Sequence, residues 1–208
     1  MGFIQTKTVY DAGNVPIWLS VDRTKIAGGI LSALPSNTPC TIPCGTPAYL
    51  DKMSGGTVSI LETFKVAADV ASGDTAVQVY AAGNVPQITA GMIVMKAPAT
   101  YTTTGKAGVV GTVSAVSGST NLSFAITANA LGALTAGDIL VVASASGATA
   151  TMAVLPNGLI WHDLRVRTGD TAQPAALVIS GQILEDRIAP IPTCVKNNLP
   201  MITFEKEV

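Results

Sequence analysis

Charged and aromatic residues are both scarce in this sequence. Charged residues occupy 12% of the 208 positions and aromatic residues 5%, whereas about a quarter of a typical globular chain is charged. Thr, Ser, Asn, Gly and Ala must therefore cover most of the surface. Since such a surface repels neighbouring molecules only weakly, the composition favours a protein that is held within an assembly.

Segments that would bring the chain to nucleic acid or to a membrane are also lacking. The 12 basic and 13 acidic residues give a net charge of −1, and no basic run is present that would bind phosphate groups. No apolar run approaches the roughly 18–20 residues that span a bilayer. Residues 1–7 lack the apolar stretch of a signal peptide. We therefore expect neither a nucleic-acid partner nor a membrane partner.

The residues that catalysis needs are few. His162 is the only histidine, and the adjacent Asp163 would point to the opposite face of a strand, which argues against a Ser-His-Asp triad. Glu185 and Asp186 form the only adjacent acidic pair. This pair fits a solvated strand end or an ion pair between subunits better than glycoside hydrolysis. The sequence therefore predicts no catalytic residue, no cofactor and no enzymatic activity.

The chain has three cysteines, an odd number that argues against the disulfide framework of a small secreted domain. Cys40 and Cys44 are spaced so that they could supply half of a zinc site, but only Cys194 and His162 remain to complete it. We expect free structural thiols and no bound metal. A metal site and a disulfide stay open as alternatives.

Hydrophobic residues, by contrast, are abundant, at 48% of the chain. Between residues 75 and 160 only Lys96, Lys106 and Asp138 are charged, and β-branched residues, which favour strands, dominate. Strand-like segments alternate with turn-like ones at regular intervals; they are 75–80, 91–96, 107–116, 121–125 and 138–143. The pattern predicts an inserted small β-barrel or sandwich domain over residues 76–160.

The flanking regions are predicted to form two further parts of an all-β protein. Residues 39–75 and 161–208 carry strand and turn signals and are expected to fold together as a β-rich base domain. Residues 1–38 are interrupted by turn residues and are predicted to form an extended N-terminal arm. In that arm Ile17, Trp18 and Leu19 are candidate contacts with a partner, because burying an exposed Trp or Leu is worth roughly 1.5–3 kcal/mol. Packing of the arm on its own chain is the alternative.

Three short segments resemble parts of one protein family. Residues 42–51 (IPCGTPAYLD) resemble a segment near the start of the head-fibre and head-decoration proteins of tailed phages. Residues 176–187 (ALVISGQILEDR) are similar to a late strand of these proteins, and residues 199–204 (LPMITF) are similar to their short closing segment. The region from 75 to 160 is not covered by the resemblance.

The resemblance implies a structural virion protein, made in the host cytoplasm and located on the outer surface of the capsid. It would bind the major capsid protein through a β-rich capsid-associating domain and would form a homo-oligomer, with a trimer favoured. Glu185 and Arg187, which end the second similar segment, then join Ile17, Trp18 and Leu19 as candidate capsid or subunit contacts.

The alternative function is a tail or fibre component that binds glycans of the host surface. Exposed aromatic side chains would carry that activity, since their rings offer an apolar face. The aromatic candidates are Trp18, Tyr49, Tyr80, Tyr101 and Trp161.

Overall fold

The computed structural model describes residues 17–22, 26–36, 38–51, 54–81, 83 and 85–206. Strands make up 44% of it and helices 4%. The prediction of an all-β protein is therefore confirmed. The five strand-like segments predicted between residues 75 and 143 all contain strands at the expected places.

The elements fall into three consecutive groups. The first group contains β1 (Trp18–Val21), β2 (Ile26–Leu31), β3 (Cys40–Ile42), β4 (Pro47–Leu50) and β5 (Ser54–Ile60). The second contains β6 (Thr63–Lys65), β7 (Ala76–Val79), β8 (Ile93–Lys96), β9 (Gly105–Val109), β10 (Val113–Ala115), β11 (Leu122–Ala125), β12 (Ile139–Val142) and β13 (Gly147–Ala150). The third contains β14 (Gly158–Ile160), β15 (Leu164–Val166), β16 (Gln173–Val178), β17 (Gly181–Leu184), a 3-10 turn (Glu185–Arg187), α1 (Thr193–Asn197) and β18 (Ile202–Glu205).

Strands of the first and third groups form a closed barrel in the order β14-β16-β2-β5-β4. All neighbouring strands are antiparallel except β2 and β5, which run parallel. Side chains alternate along β2, so that Ala27 and Leu31 are buried inside the barrel while Ile30 is exposed. The interior is narrow at Gly29, where a Cβ atom would lie only 2.6 Å from the carbonyl oxygen of Gly56. We call this element the base barrel.

Two smaller sheets complete the base. β17 pairs antiparallel with β1 and parallel with β18, and β15 pairs antiparallel with β3. Two early strands, β1 and β2, thereby pair antiparallel with two late strands, β17 and β16, in two separate sheets. Ile26 to Leu31 lie opposite Val178 to Gln173, and Trp18 to Val21 lie opposite Ile183 to Gly181.

The second group of strands encloses a separate core. β13-β9-β8-β12-β6 and β10-β11-β7 form two sheets. The sheets are joined on one side by the bridge between Val66 and Val79. On the other side, the segment between β9 and β10 is hydrogen-bonded to the end of β11. The Gly111 N–H donates to the Ala125 carbonyl oxygen, and the Ala125 N–H donates to the Thr112 carbonyl oxygen. The buried side chains between the sheets include Phe64, Val77, Phe124 and Leu140. We call this part the inserted barrel.

A third core joins the inserted barrel to the base. Successive residues on β8 and β12 point to opposite faces, as strand geometry requires. Val94 and Leu140 therefore enter the core of the inserted barrel, whereas Met95 and Val141 face the other way. There they pack in one buried cluster with residues of the base; those residues include Leu159, Ile183, Ile191, Val195 and Ile202. The inserted barrel is thus fixed to the base through one whole face of a sheet.

The strand pairing changes two of the predicted divisions of the chain. An extended arm over residues 1–38 is not confirmed, because β1 and β2 are paired within the fold; residues 1–16 lie outside the described residues. The inserted part begins before residue 76, since β6 pairs with β12, and it ends before residue 160, since β14 belongs to the base barrel. Pairing partners far away in sequence cause both differences.

Candidate functional site

A cleft with a volume of about 430 Å³ lies where the base meets the inserted barrel. The chain itself creates this position, because Leu61 and Glu62 connect the last strand of the base barrel, β5, to the first inserted strand, β6. Both halves contribute to the lining, which includes Phe64, Tyr80 and Ile88 on the inserted side and Pro43, Arg187 and Ile188 on the base side. Most of these side chains are apolar, as is usual for ligand-binding clefts of this size.

Glu62 is the unusual member of the lining. Its carboxyl oxygen Oε2 is buried and forms no hydrogen bond with the described residues. Burial raises the pKa of Glu62 to about 7. The same carboxyl influences Cys40, whose pKa is raised by burial and, to a smaller degree, by the negative charge of Glu62. Because buried polar atoms nearly always have a partner in native proteins, this oxygen calls for an explanation.

The rim of the cleft is polar and partly aromatic. The side chain of Tyr80 is 53% exposed, and Lys65 Nζ lies 5.7 Å from the centroid of its ring, which is a cation–π distance. Asp186 and the half-buried Arg187 line the base side. The rim therefore carries charges of both signs beside one accessible aromatic face.

The outer face of the base barrel is a second candidate site. None of the five barrel strands, β2, β4, β5, β14 and β16, contains a charged residue. The exposed positions on this face are Gly28, Ile30, Tyr49, Thr57 and Pro174. Ile30 is 48% exposed and lies between Pro174 and Thr57 in the strand register, and Tyr49 is 41% exposed on β4. We call these residues, together with the half-buried Ser59 opposite Tyr49, the barrel face.

Trp18, predicted as a partner contact, is engaged within its own chain. Its indole Nε1–H donates hydrogen bonds to Cys44 Sγ at 2.9 Å and to the carbonyl oxygen of Trp161 at 3.2 Å. Cys44 Sγ donates to the same carbonyl oxygen at 3.0 Å, and its backbone N–H donates to Asp163 Oδ1 at 2.8 Å. The side chain therefore ties β1 to two other parts of the base.

The other N-terminal candidates differ from each other in exposure. Ile17 is partly buried against the cluster that joins the base to the inserted barrel. Leu19 is 52% exposed on β1, which is an edge strand of its sheet. Of the three predicted contacts in this segment, Leu19 is the one that is accessible to a partner.

Glu185 and Arg187 are separated by the fold. Glu185 forms an ion pair with Lys196 of α1, whose ammonium group also lies 5.7 Å from the centroid of the Phe204 ring. Arg187 instead lines the cleft together with Asp186. These two candidate contact residues thus lie in different places: Glu185 pairs within the base, and Arg187 lines the cleft.

The three cysteines are free, as expected from the sequence, and the structure shows that all three are buried. Burial raises the pKa of Cys44 to about 12, with the nearby charge of Asp163 as a smaller cause in the same direction and the Trp18 hydrogen bond opposing it. Burial also raises the pKa of Cys194. A thiol that is held protonated is a poor nucleophile, so Cys44 is a structural group here.

The described residues contain neither a metal-binding cluster nor a membrane-spanning helix. No group of three or more His, Cys, Asp or Glu side chains is placed to hold a metal ion within the part of the chain that the structure describes. No helix among the described residues is long and apolar enough to cross a bilayer.

Comparison with protein-family models, with curated proteins and with solved structures finds no match for this chain. The resemblance to phage head-fibre and head-decoration proteins therefore rests on the three short segments alone.

The sequence contains one local signal for each of the two sites, at Glu62 and at Ile30. Glu62 is an isolated acidic residue close to the apolar Ile60, Leu61 and Phe64, and a charged residue in such surroundings is costly to bury without a partner. Ile30 follows Gly28 and Gly29, a residue type that often interrupts regular structure. In the structure these glycines belong to β2, where Gly29 makes room for Leu50 and Val58 inside the barrel.

Proposed function

We propose that this chain is a structural virion protein that decorates the outer surface of a phage capsid, as a decoration protein or head fibre. The observation that carries the proposal is the barrel face, an exposed sheet surface whose strands contain no charged residue. The major capsid protein is the proposed partner, and the barrel face is the surface that binds it.

The composition of the barrel face suits a buried protein interface. The central parts of interfaces are poor in charged residues and rich in aromatic ones, and Ile30 and Tyr49 lie among small uncharged neighbours. Each copy needs only moderate affinity, because copies that also contact one another on a lattice bind with greater avidity. Self-association through the β1 edge and the exposed Leu19, with a trimer favoured, is part of the same proposal.

The three family-like segments are neighbours in space, which supports treating them as one unit. Gly45, in the first segment, has a positive φ of 81°, and a Cβ atom there would overlap Ile188 and lie 3.2 Å from Ile183. Ile183, in the second segment, lies opposite Phe204 of the third. Segments distant in sequence thus form a single corner of the base.

Charged substitutions on the barrel face test the proposal. We expect Ile30→Glu and Tyr49→Glu each to weaken co-sedimentation with undecorated capsids by about ten-fold or more, since an unpaired charge would be buried at the centre of the contact. Val109→Glu is the matched control, because Val109 is 49% exposed on the inserted barrel. Binding of both barrel-face variants at wild-type affinity would exclude this surface.

The mass of the purified protein in solution, measured alone, tests self-association. A trimer that becomes monomeric in Leu19→Glu would support the β1 edge as the subunit contact. A monomer at all concentrations would remove self-association in solution from the proposal, while saturable capsid binding by that monomer would leave decoration intact.

The glycan-binding alternative is favoured by one feature, the exposed ring of Tyr80 at the cleft rim. Other aromatic candidates are less accessible: Tyr101 is partly buried, its hydroxyl donates to the carbonyl oxygen of Pro156 at 2.6 Å, and burial raises its pKa to about 12. A glycan array compared between the wild type and Tyr80→Ala tests the alternative. Glycan binding that Tyr80→Ala abolishes, together with no capsid binding, would replace the decoration proposal.

A further inference from the structure

We propose that the cleft between the base and the inserted barrel binds a small apolar molecule that carries one amine group, with Glu62 as the counter-ion of that amine. This site is independent of capsid attachment, because the barrel face and the cleft use different residues. The argument depends on the shape of the cleft, on the position of one carboxyl group and on the chemistry of the surrounding walls.

The shape fits a small molecule. A volume of about 430 Å³ lies within the range of ligand-binding clefts. The cleft lining includes Leu61, Phe64, Ile88 and Ile188, whose apolar side chains favour an apolar ligand body. The two parts that line the cleft share a packed core, and the cleft is already present without a ligand.

The position of the carboxyl group selects the polar part of the ligand. Glu62 Oε2 is buried without a hydrogen-bond partner among the described residues. A buried acceptor of this kind costs free energy, and a ligand that donates to it recovers that cost. A cationic donor recovers more than a neutral one, because hydrogen bonds between charged groups are about twice as strong.

The other charged groups at the cleft limit the size of the ligand charge. Lys65 is exposed and lies over the Tyr80 ring, and Asp186 and Arg187 line the base side. A ligand with several positive charges would approach Lys65 and Arg187 unfavourably, whereas a single ammonium group can reach Glu62 along the apolar wall. The expected class is therefore a monoamine with an aromatic or aliphatic body.

Binding of a cation must change the protonation of Glu62. Burial holds the pKa of this carboxyl at about 7, and an adjacent ammonium group favours the ionised form. Near pH 6.5 the protein should consequently release protons when the amine binds. A neutral ligand of the same shape should release none, so proton release distinguishes an ion pair from simple filling of the cleft.

The probe is 2-phenylethylamine, compared with its neutral analogue 2-phenylethanol and with the anion 3-phenylpropanoate. Titration calorimetry at pH 6.5 in two buffers of different ionisation enthalpy measures affinity and proton release together. We expect the amine to bind at least ten-fold more tightly than the alcohol, with proton release. Amide chemical shifts in the wild type should change at Glu62, Thr63 and Gln87, which locates the site without any substitution.

Glu62→Gln is the decisive variant, and Glu205→Gln is its matched control, because Glu205 is exposed on β18. We expect Glu62→Gln to lose at least ten-fold in amine affinity and all proton release, while Glu205→Gln behaves as the wild type. Equal binding of amine and alcohol, unchanged binding in Glu62→Gln, preference for the anion, or no shift changes at millimolar amine would each overturn the proposal.

Discussion

Glu62 shows what a single buried carboxyl does to the stability of this protein. In the unfolded chain its pKa is the ordinary value of 4.5, whereas burial raises the folded-state pKa to about 7. Between these values the folded protein keeps a proton that the unfolded chain has lost, so the free energy of unfolding falls as the pH rises. Below the pKa of the unfolded chain the carboxyl is protonated in both states, so its ionisation does not lower the free energy of unfolding. Above the pKa of the folded state the loss of stability caused by its ionisation no longer changes with pH.

We expect Glu62→Gln to remove this pH dependence. The difference in the free energy of unfolding between the variant and the wild type should be small at pH 4 and should grow to about 3 kcal/mol in favour of the variant by pH 8. Urea unfolding at several pH values measures it. Lys65, Asp186 and Arg187 line the same cleft and Cys40 responds to the Glu62 charge, so all of them must be left unchanged. A constant difference across this range would contradict a raised pKa for Glu62.

At the scale of elements, two antiparallel pairings, of β1 with β17 and of β2 with β16, organise the base. β2 is the third strand of the base barrel and pairs with β16 on one side and β5 on the other. Its two glycines have different surroundings because successive residues point to opposite faces. A Cβ atom at Gly28 would meet only the Ala175 carbonyl oxygen, at 4.0 Å, whereas one at Gly29 would lie within 2.9 Å of three atoms.

These neighbouring glycines form a matched pair for substitution. Gly29→Ala should lower the free energy of unfolding by about 1–3 kcal/mol, because the extra methyl group overfills the barrel interior. Gly28→Ala should change it by less than about 0.5 kcal/mol, since the methyl group would face open space. Urea midpoints measured with equal m-values decide the question. Equal effects at both positions would argue against the observed orientation of β2, in which position 29 points into the barrel and position 28 points outward.

At the scale of the whole molecule, the shared core predicts that the two halves unfold together. Met95 and Val141 of the inserted barrel pack in one buried cluster with Ile183 and Val195 of the base. Separating the halves would expose this cluster to water, at roughly 25 cal/mol for each Å² of apolar surface. Cooperative unfolding is therefore expected despite the two separate barrels.

Tryptophan fluorescence tests this coupling, because both tryptophans, Trp18 and Trp161, lie in the base. Phe124 is 1% exposed in the core of the inserted barrel, so Phe124→Leu should destabilise it by about 1–2 kcal/mol. If the halves are coupled, the fluorescence midpoint in urea shifts together with the circular-dichroism midpoint. A fluorescence curve that stays at its wild-type position would instead show two independently unfolding units.

Local sequence patterns were enough to predict the fold class and the strands of the inserted barrel. Segments such as 121–125 and 138–143 are rich in β-branched and apolar residues between turn residues, and these local preferences act without knowledge of the rest of the chain. The free state of Cys40, Cys44 and Cys194 was expected from composition, because few possible partners exist in the sequence, whereas their burial is visible only in the structure.

Tertiary structure alone decided the partners of those strands and the positions of both candidate sites. Trp18 was equally suited to a neighbouring molecule or to its own chain, and only the pairing of β1 with β17 placed its indole beside Cys44 and the Trp161 carbonyl. Glu62 lines a cleft only because the fold brings its segment together with Arg187 and Ile188, which are more than a hundred residues away in the chain. Sequence-local preferences specify strands, whereas burial depends on contacts between distant segments.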